Sequence, residues 1–353
     1  MNKRIIILSG TLLLALGILL ADLFSNPKVS ISDNQIKKSC YDFIPEHWQE
    51  PYLAKLYHNE NFKEIQADSQ FELFLLLCDW THRQWKHSMP DPYPLSNAID
   101  ILKDIRSGLT GGFCGQYAYV LADVFKTLGY YNVRYAELWN QKGQSHFVVE
   151  VWSDQFKKWI ILDPDLNMYF RMIDSGIPAC ALDIRKSFYG GEPVEAIDIK
   201  SRKKRTDTAK RAELFRNFAL SLRSDLMRHR EALTVQNRYD TFLFFRDNNT
   251  NKPFEESLPY GNITSDPGDL YFDCNKVRVE HQISRNQIDF TFHTDSSMPN
   301  FKGFMIFTGN KGQWHPAGKS YSVRRNDKID MLSVAPVNQN NQLGIVNIIQ
   351  IQW

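Results

Sequence analysis

The spacings of the common zinc sites are missing from this 353-residue sequence: it holds no CxxC pair and no HExxH, so no metal and no cofactor are expected. No internal repeat occurs that would signal a solenoid or propeller. Neither sign of charge is in surplus, since 42 basic residues face 40 acidic ones for a formal net charge of +2. That balance argues against a general nucleic-acid or polyanion binder, and no nucleic-acid partner is expected. The one dense basic run, over residues 199–211, reads as a solvated segment rather than an anion-binding patch. Cysteine is scarce, with Cys40, Cys78, Cys114, Cys180 and Cys274 the full set.

What is present suffices for one large or two ordinary domains, with 43% hydrophobic and 23% charged residues. Residues 1–24 pose a separate problem. Lys3 and Arg4 precede an uncharged apolar stretch from Ile5 to Ala21, at the lower end of the roughly 17 to 25 residues that cross a bilayer. The stretch lacks a small-x-small cleavage site, because Leu19 stands at the critical spacing before Ala21, and no lipobox-type cysteine follows. An uncleaved anchor is therefore expected, with a cleaved signal peptide and a secreted product as the alternative. Either way the rest of the chain is expected outside the cytoplasm, in the periplasm or at the cell surface. An odd cysteine there is either an intermolecular partner or a free thiol. If Cys114 is the free one, the other four allow three pairings, which the sequence does not rank.

Past a polar, proline-containing segment over residues 25–51, the dense apolar run at 71–88 predicts a buried helix. A second helix is predicted over 95–109, with Ser96 as N-cap and Gly108 as stop. A third starts at Cys114, with Tyr117, Val120, Leu121, Val124, Phe125 and Leu128 at helical spacing and Gly129 at its end. The period then changes to β-branched and aromatic runs at NVRYAELW, SHFVVEVW and KKWIILD, which predict a three-stranded meander. A long amphipathic helix is predicted over 206–232. Short strands with Asn, Asp, Gly and Pro turns follow it, as in a small sandwich or barrel, with the boundary near 240–255. In that β module Trp314, beside His315, is either a platform for sugars or core packing.

Cys114 is either a buried structural thiol or a nucleophile at a helix N-terminus, where free amides and the dipole favour a thiolate. Gly111, Gly112 and Gly115 are expected to leave the approach to its sulfur open. Among nine histidines, His146 shares a strand face with Val148, Glu150 and Trp152, while Lys157, Trp159, Ile161 and Asp163 share a face of the next strand. A hairpin centred between Asp154 and Gln155 pairs 152 with 157 and so brings His146 opposite Asp163. Such a carboxylate fixes the tautomer of an imidazole base, and Pro164 ends the strand beside it.

The stretches GGFCGQYAYVLADVFKTLGYYNVRY (111–135), SHFVVEVW (145–152) and WIILDPD (159–165), in that order, resemble the transglutaminase-like superfamily over about residues 70–170. The resemblance implies an α+β fold with a papain-like core of helices on an antiparallel sheet, in which Cys114 is the nucleophile, His146 the base and Asp163 its orienter. Arg134 matches a structural ion-pair residue. The family often carries Ala or Trp after the catalytic His, where this chain has Phe147. The superfamily includes crosslinking transglutaminases, amide-hydrolysing peptidases, deglycosylating amidases and inactive members. The paired CxxC motifs of the amidases are absent, and no calcium site or flanking domain of the large animal enzymes is seen. The expected division is an anchor at 1–24, an extension at 25–69, a catalytic core at 70–200, a bridging helix at 201–240 and a β-sandwich-like module at 241–353.

The function that follows is an exported cysteine acyl-transfer enzyme acting on an amide in a protein, peptide or envelope polymer. The alternative is an inactive member that serves as a binding or scaffold protein. The oxyanion is expected on the Cys114 amide, with Trp80, Trp85 and Gln116 as further cleft candidates.

Overall fold

The computed structural model describes residues 26–93, 97–226, 239–250, 261–309 and 312–353. The expected anchor over 1–24, Ser96 and the end of the helix expected over 206–232 lie outside the described residues. Among the described residues no helix is long and apolar enough to cross a membrane.

After a short strand, β1 (Lys28–Ile31), come four helices: α1 (Pro51–Asn59), α2 (Gln70–His82), α3 (Ala98–Arg106) and α4 (Cys114–Thr127). Two of them start where a side chain takes up free amides. Ser69 accepts from the Glu72 amide at 3.2 Å, and Asn97 accepts from Ile99 at 3.0 Å and Asp100 at 3.3 Å. Asn97 thus holds the cap position expected of Ser96. Asp123 on α4 accepts from the Ala98 amide at 2.9 Å and pairs with buried Lys126 at 2.6 Å, which ties the start of α3 to α4. α4 is followed by Gly129, at a φ of +94° that glycine adopts without steric cost.

The meander follows as β2 (Val133–Trp139), β3 (Ser145–Ser153) and β4 (Lys158–Asp163), all antiparallel. β5 (Met168–Met172) and β6 (Val194–Asp198) extend it on one side; β7 (Asn217–Ser221), β8 (Phe242–Phe245) and β9 (Asn262–Thr264) extend it on the other. The eight strands run in the order β6-β5-β4-β3-β2-β7-β8-β9. The helices cover one face through Phe147, Val149, Val151, Ile160 and Leu162. Val148, Ile161 and Phe170 lie in a second core, with residues of α5 (Ala181–Phe188). The architecture is α+β.

Two expectations are corrected here. The helix expected over 206–232 is a short α6 (Thr208–Ala212) and a 3-10 turn at Glu213–Arg216, after which the chain enters β7. β7 lies between β2 and β8, with Phe218 and Leu220 in one core and Ala219 in the other, so burial on both faces overrides the amphipathic pattern. β8 is buried on both faces for the same reason, which carries the large sheet past the expected boundary of 240–255 to residue 264.

The remaining strands form two sheets around a third core. One holds β10 (Arg278–Ile283), β11 (Gln287–His293) and β14 (Ser320–Arg324). The other holds β12 (Phe301–Thr308), β13 (His315–Ala317), β15 (Met331–Asn338), β16 (Asn347–Gln352) and β1. Val279 and Phe290 of the first meet Ile306, Val334 and Ile349 of the second, as in a sandwich. β1 pairs with β16, so part of the expected extension over 25–69 belongs to this module. Trp314 packs on Phe307 with ring centroids 5.8 Å apart. All five cysteines are free, and Cys78, Cys180 and Cys274 are buried.

A buried ion pair joins these parts. Arg134 on β2 donates to Glu150 Oε2 on β3 from Nε at 2.8 Å and Nη2 at 2.5 Å, and to the Leu270 carbonyl from Nη1 at 2.7 Å. Its guanidinium lies 4.1 Å from the Trp159 ring centroid. Glu150 Oε1 accepts from the Ala181 amide at 3.0 Å and the Tyr271 hydroxyl at 3.3 Å. Replacing Arg134 with Ala is expected to lower the unfolding free energy by about 3–5 kcal/mol, read from urea titration, because it leaves a buried carboxylate without its cation.

The turn of the β3–β4 hairpin reaches the sandwich through Asp154, which accepts from Trp152 Nε1 at 2.9 Å, Asn275 Nδ2 at 3.0 Å and Gln70 Nε2 at 3.3 Å. Burial pushes this carboxyl up from 3.8 to about 6, against the pull of those donors. The folded protein therefore holds a proton that the unfolded chain releases, and stability falls as the pH rises from 3.8 to about 6, then levels. Urea midpoints between about pH 4 and 8 are expected to show this slope in the wild type and to lose it in Asp154→Asn.

Candidate active site

Alternation along β3 puts His146, Val148 and Glu150 on one face, and alternation along β4 puts Ile161 and Asp163 on the matching face. The register differs from the symmetric one expected. Trp152 pairs with Trp159 and Glu150 with Ile161, because Lys157 takes a left-handed φ of +52° and belongs to the turn. A two-residue offset preserves parity, so His146 and Asp163 keep to one face as diagonal neighbours instead of direct opposites. The separation of His146 Nε2 and Asp163 Oδ2 is 2.7 Å.

The carboxylate is held from its other side. Asp163 Oδ1 accepts from the Leu166 amide at 3.0 Å, and α2 fixes the turn that follows. His82 Nδ1 donates to the Pro164 carbonyl at 3.0 Å, and Asn167 Nδ2 donates to Asp79 at 2.8 Å. Since Asp163 accepts from Nε2, the Nδ1 edge of His146 is left over, and Cys114 is near enough to add to the rise in the imidazole. Cys114 is the first residue of α4 and is half-buried. Burial opposes charge on His146, but Asp163, by charge and hydrogen bond, and then Cys114 outweigh it and raise the imidazole from 6.5 to about 10.

The two glycines before Cys114 allow close packing of a neighbouring segment. A Cβ at Gly112 would lie 2.7 Å from Trp85 Nε1, and one at Gly111 would meet Ser88 Oγ and lie 2.5 Å from the Met89 carbonyl oxygen. Their small size lets segment 85–89 pack along 111–112, where Ser88 N donates to the Gly112 carbonyl at 2.9 Å. Trp85 Nε1 donates to the same carbonyl at 3.2 Å and its ring stacks on Tyr117 at 4.2 Å, so its indole N–H is taken by the main chain instead of facing an oxyanion. Trp80 packs edge-on against Phe62 at 4.9 Å. Gln116 accepts from the Phe113 amide at 3.2 Å as part of the helix start, and its buried Nε2 has no hydrogen-bond partner among the described residues.

Sequence reasoning missed a second imidazole–carboxylate pair. His87 Nδ1 lies 2.8 Å and 3.0 Å from the two oxygens of Asp165, two residues beyond Asp163. Burial raises the Asp165 carboxyl, His87 opposes this, and the charge of Asp163 adds to the rise. The second acid in DPD was the available signal; the 78 residues separating the partners hid the pairing. Among the described residues no group of three or more His, Cys, Asp or Glu side chains could hold a metal ion.

No protein-family model matches this chain, and no curated protein does.

The His146 imidazole is expected to titrate near 10 by NMR, and Asp163→Asn is expected to move it down towards 6.5. Because the folded-state value is raised, the stabilisation is full below 6.5 and lost as the pH rises through about 10.

Proposed function

We propose that this chain is a cysteine acyl-transfer enzyme with a transglutaminase-like, papain-like core. The observation that carries the reading is the meeting of a helix-terminal thiol with an imidazole that a buried carboxylate already orients. The Cys114 sulfur attacks the carbonyl carbon of an amide, His146 gives its proton to the departing nitrogen, and the C–N bond breaks to leave a thioester. An acceptor, water or an amine, then passes a proton to His146 and attacks the thioester, and the C–S bond breaks to return the thiolate. Asp163 holds the ring in the tautomer that both steps use.

The apolar stretch Ile5–Ala21 behind Lys3 and Arg4 supports an exported, membrane-tethered placement, with protein, peptide or envelope polymer as the amide substrate. Deleting residues 1–25 is expected to move the protein from the membrane to the soluble fraction with Cys114 labelling retained.

Cys114 is expected to be alkylated by iodoacetamide and to gain an acetyl group, seen by mass, from p-nitrophenyl acetate. Cys114→Ser and His146→Ala are expected to abolish turnover with the fold kept. Asp163→Asn is expected to retain a residue of activity, with a loss of about 10²- to 10⁴-fold. A Cys114 that is alkylated by iodoacetamide but forms no acyl adduct would leave the fold as a binding scaffold.

A further inference from the structure

The mechanism above leaves one pair unused. Asp165 exposes only 4% of its side chain, whereas its partner His87 exposes 58%. With Nδ1–H given to the carboxylate, a neutral His87 carries its lone pair on Nε2, which has no partner among the described residues. Two observations tie the residues of this pair to the candidate site. In the first, Asp165 follows Asp163 and feels the charge of His146. In the second, segment 85–89 lies along Gly111–Gly112, just ahead of Cys114.

We propose that His87 and Asp165 form a second proton-transfer pair in the same cleft, in which His87 Nε2 deprotonates an incoming primary alkylammonium so that it can attack the Cys114 thioester. The inference rests on the acyl-transfer reading and selects amine over water as the acceptor. His146 has given its proton to the leaving amine by then and is a free base, so water needs no second base. An alkylamine arrives protonated at neutral pH, with a pKa of about 10.4, and has one more proton to lose. Its first proton passes to His87, whose cation sits against Asp165 and releases the proton to solvent through the exposed ring edge. The neutral amine then forms the C–N bond. Its second proton passes to His146, the C–S bond breaks, and the thiolate returns beside the imidazolium. One N–H remains in the amide product.

The test uses p-nitrophenyl acetate as donor and n-butylamine as acceptor at neutral pH, reading the Cys114 acyl adduct by mass and the ratio of N-butylacetamide to acetate. In the wild type the amide is expected to form. In His87→Ala and in His87→Gln, which keeps a hydrogen bond to Asp165, the ratio is expected to fall about 10²-fold. Added imidazole is expected to restore it in His87→Ala, because the vacated site is open to solvent. An unchanged ratio in either folded variant overturns the proposal, as does a fall that imidazole does not restore. A wild type that acylates at Cys114 but yields only acetate also overturns it and leaves the hydrolytic reading standing. Absence of the acyl adduct removes both.

Discussion

Glu150 ties β2, α5 and the segment of Tyr271 to β3. One oxygen holds Arg134 on β2, and the other holds the first amide of α5 and the hydroxyl of Tyr271. Through Arg134 it also fixes the Leu270 carbonyl, on the segment that leads to the sandwich. A buried carboxylate with these partners has one tolerable position. A one-residue slip of β3 would drive it into the apolar layer of Phe147, Val149 and Val151 beneath the helices. The same slip would turn His146 away from Asp163. A structural ion pair four residues along the strand therefore sets the face on which the imidazole stands.

That dependence explains which features the sequence disclosed. Parity is a local property, so the shared face of His146 and Asp163 followed from counting, and it survived an offset of two residues at the Lys157 turn. The extent of α4 was legible from the apolar spacing after Cys114 and from Gly129 beyond its end. Within the segment expected as a helix, residues 217–221 form a strand; a helical pattern and a strand buried on both faces both supply frequent apolar residues. Only the neighbours β2 and β8 decide between them at Phe218, Ala219 and Leu220. β1 was illegible for a related reason, since Val29 pairs with Ile351 at the far end of the chain.

The glycines before Cys114 have a packing role that only the tertiary structure discloses. Gly111 and Gly112 are small because backbone and ring atoms of segment 85–89 occupy the space that side chains would fill. This contact carries Trp85 into its stack on Tyr117 and leaves its indole N–H on a main-chain oxygen. The packing that commits Trp85 also fixes the segment that carries His87.

Asp163 and Asp165 flank Pro164, which cannot donate to a sheet and so ends the ladder at the rim. Two nearby carboxylates repel, and the rise in the Asp165 carboxyl includes a contribution from Asp163. Each carboxylate is instead set against its own imidazole: His146, largely enclosed at the end of β3, and His87, open to solvent. Removing either ring leaves a buried carboxylate uncompensated and changes the field at the other pair. The two pairs therefore do not act independently. Substitutions at His87 and His146 should combine non-additively, since each carboxylate sees the charge that the other pair carries.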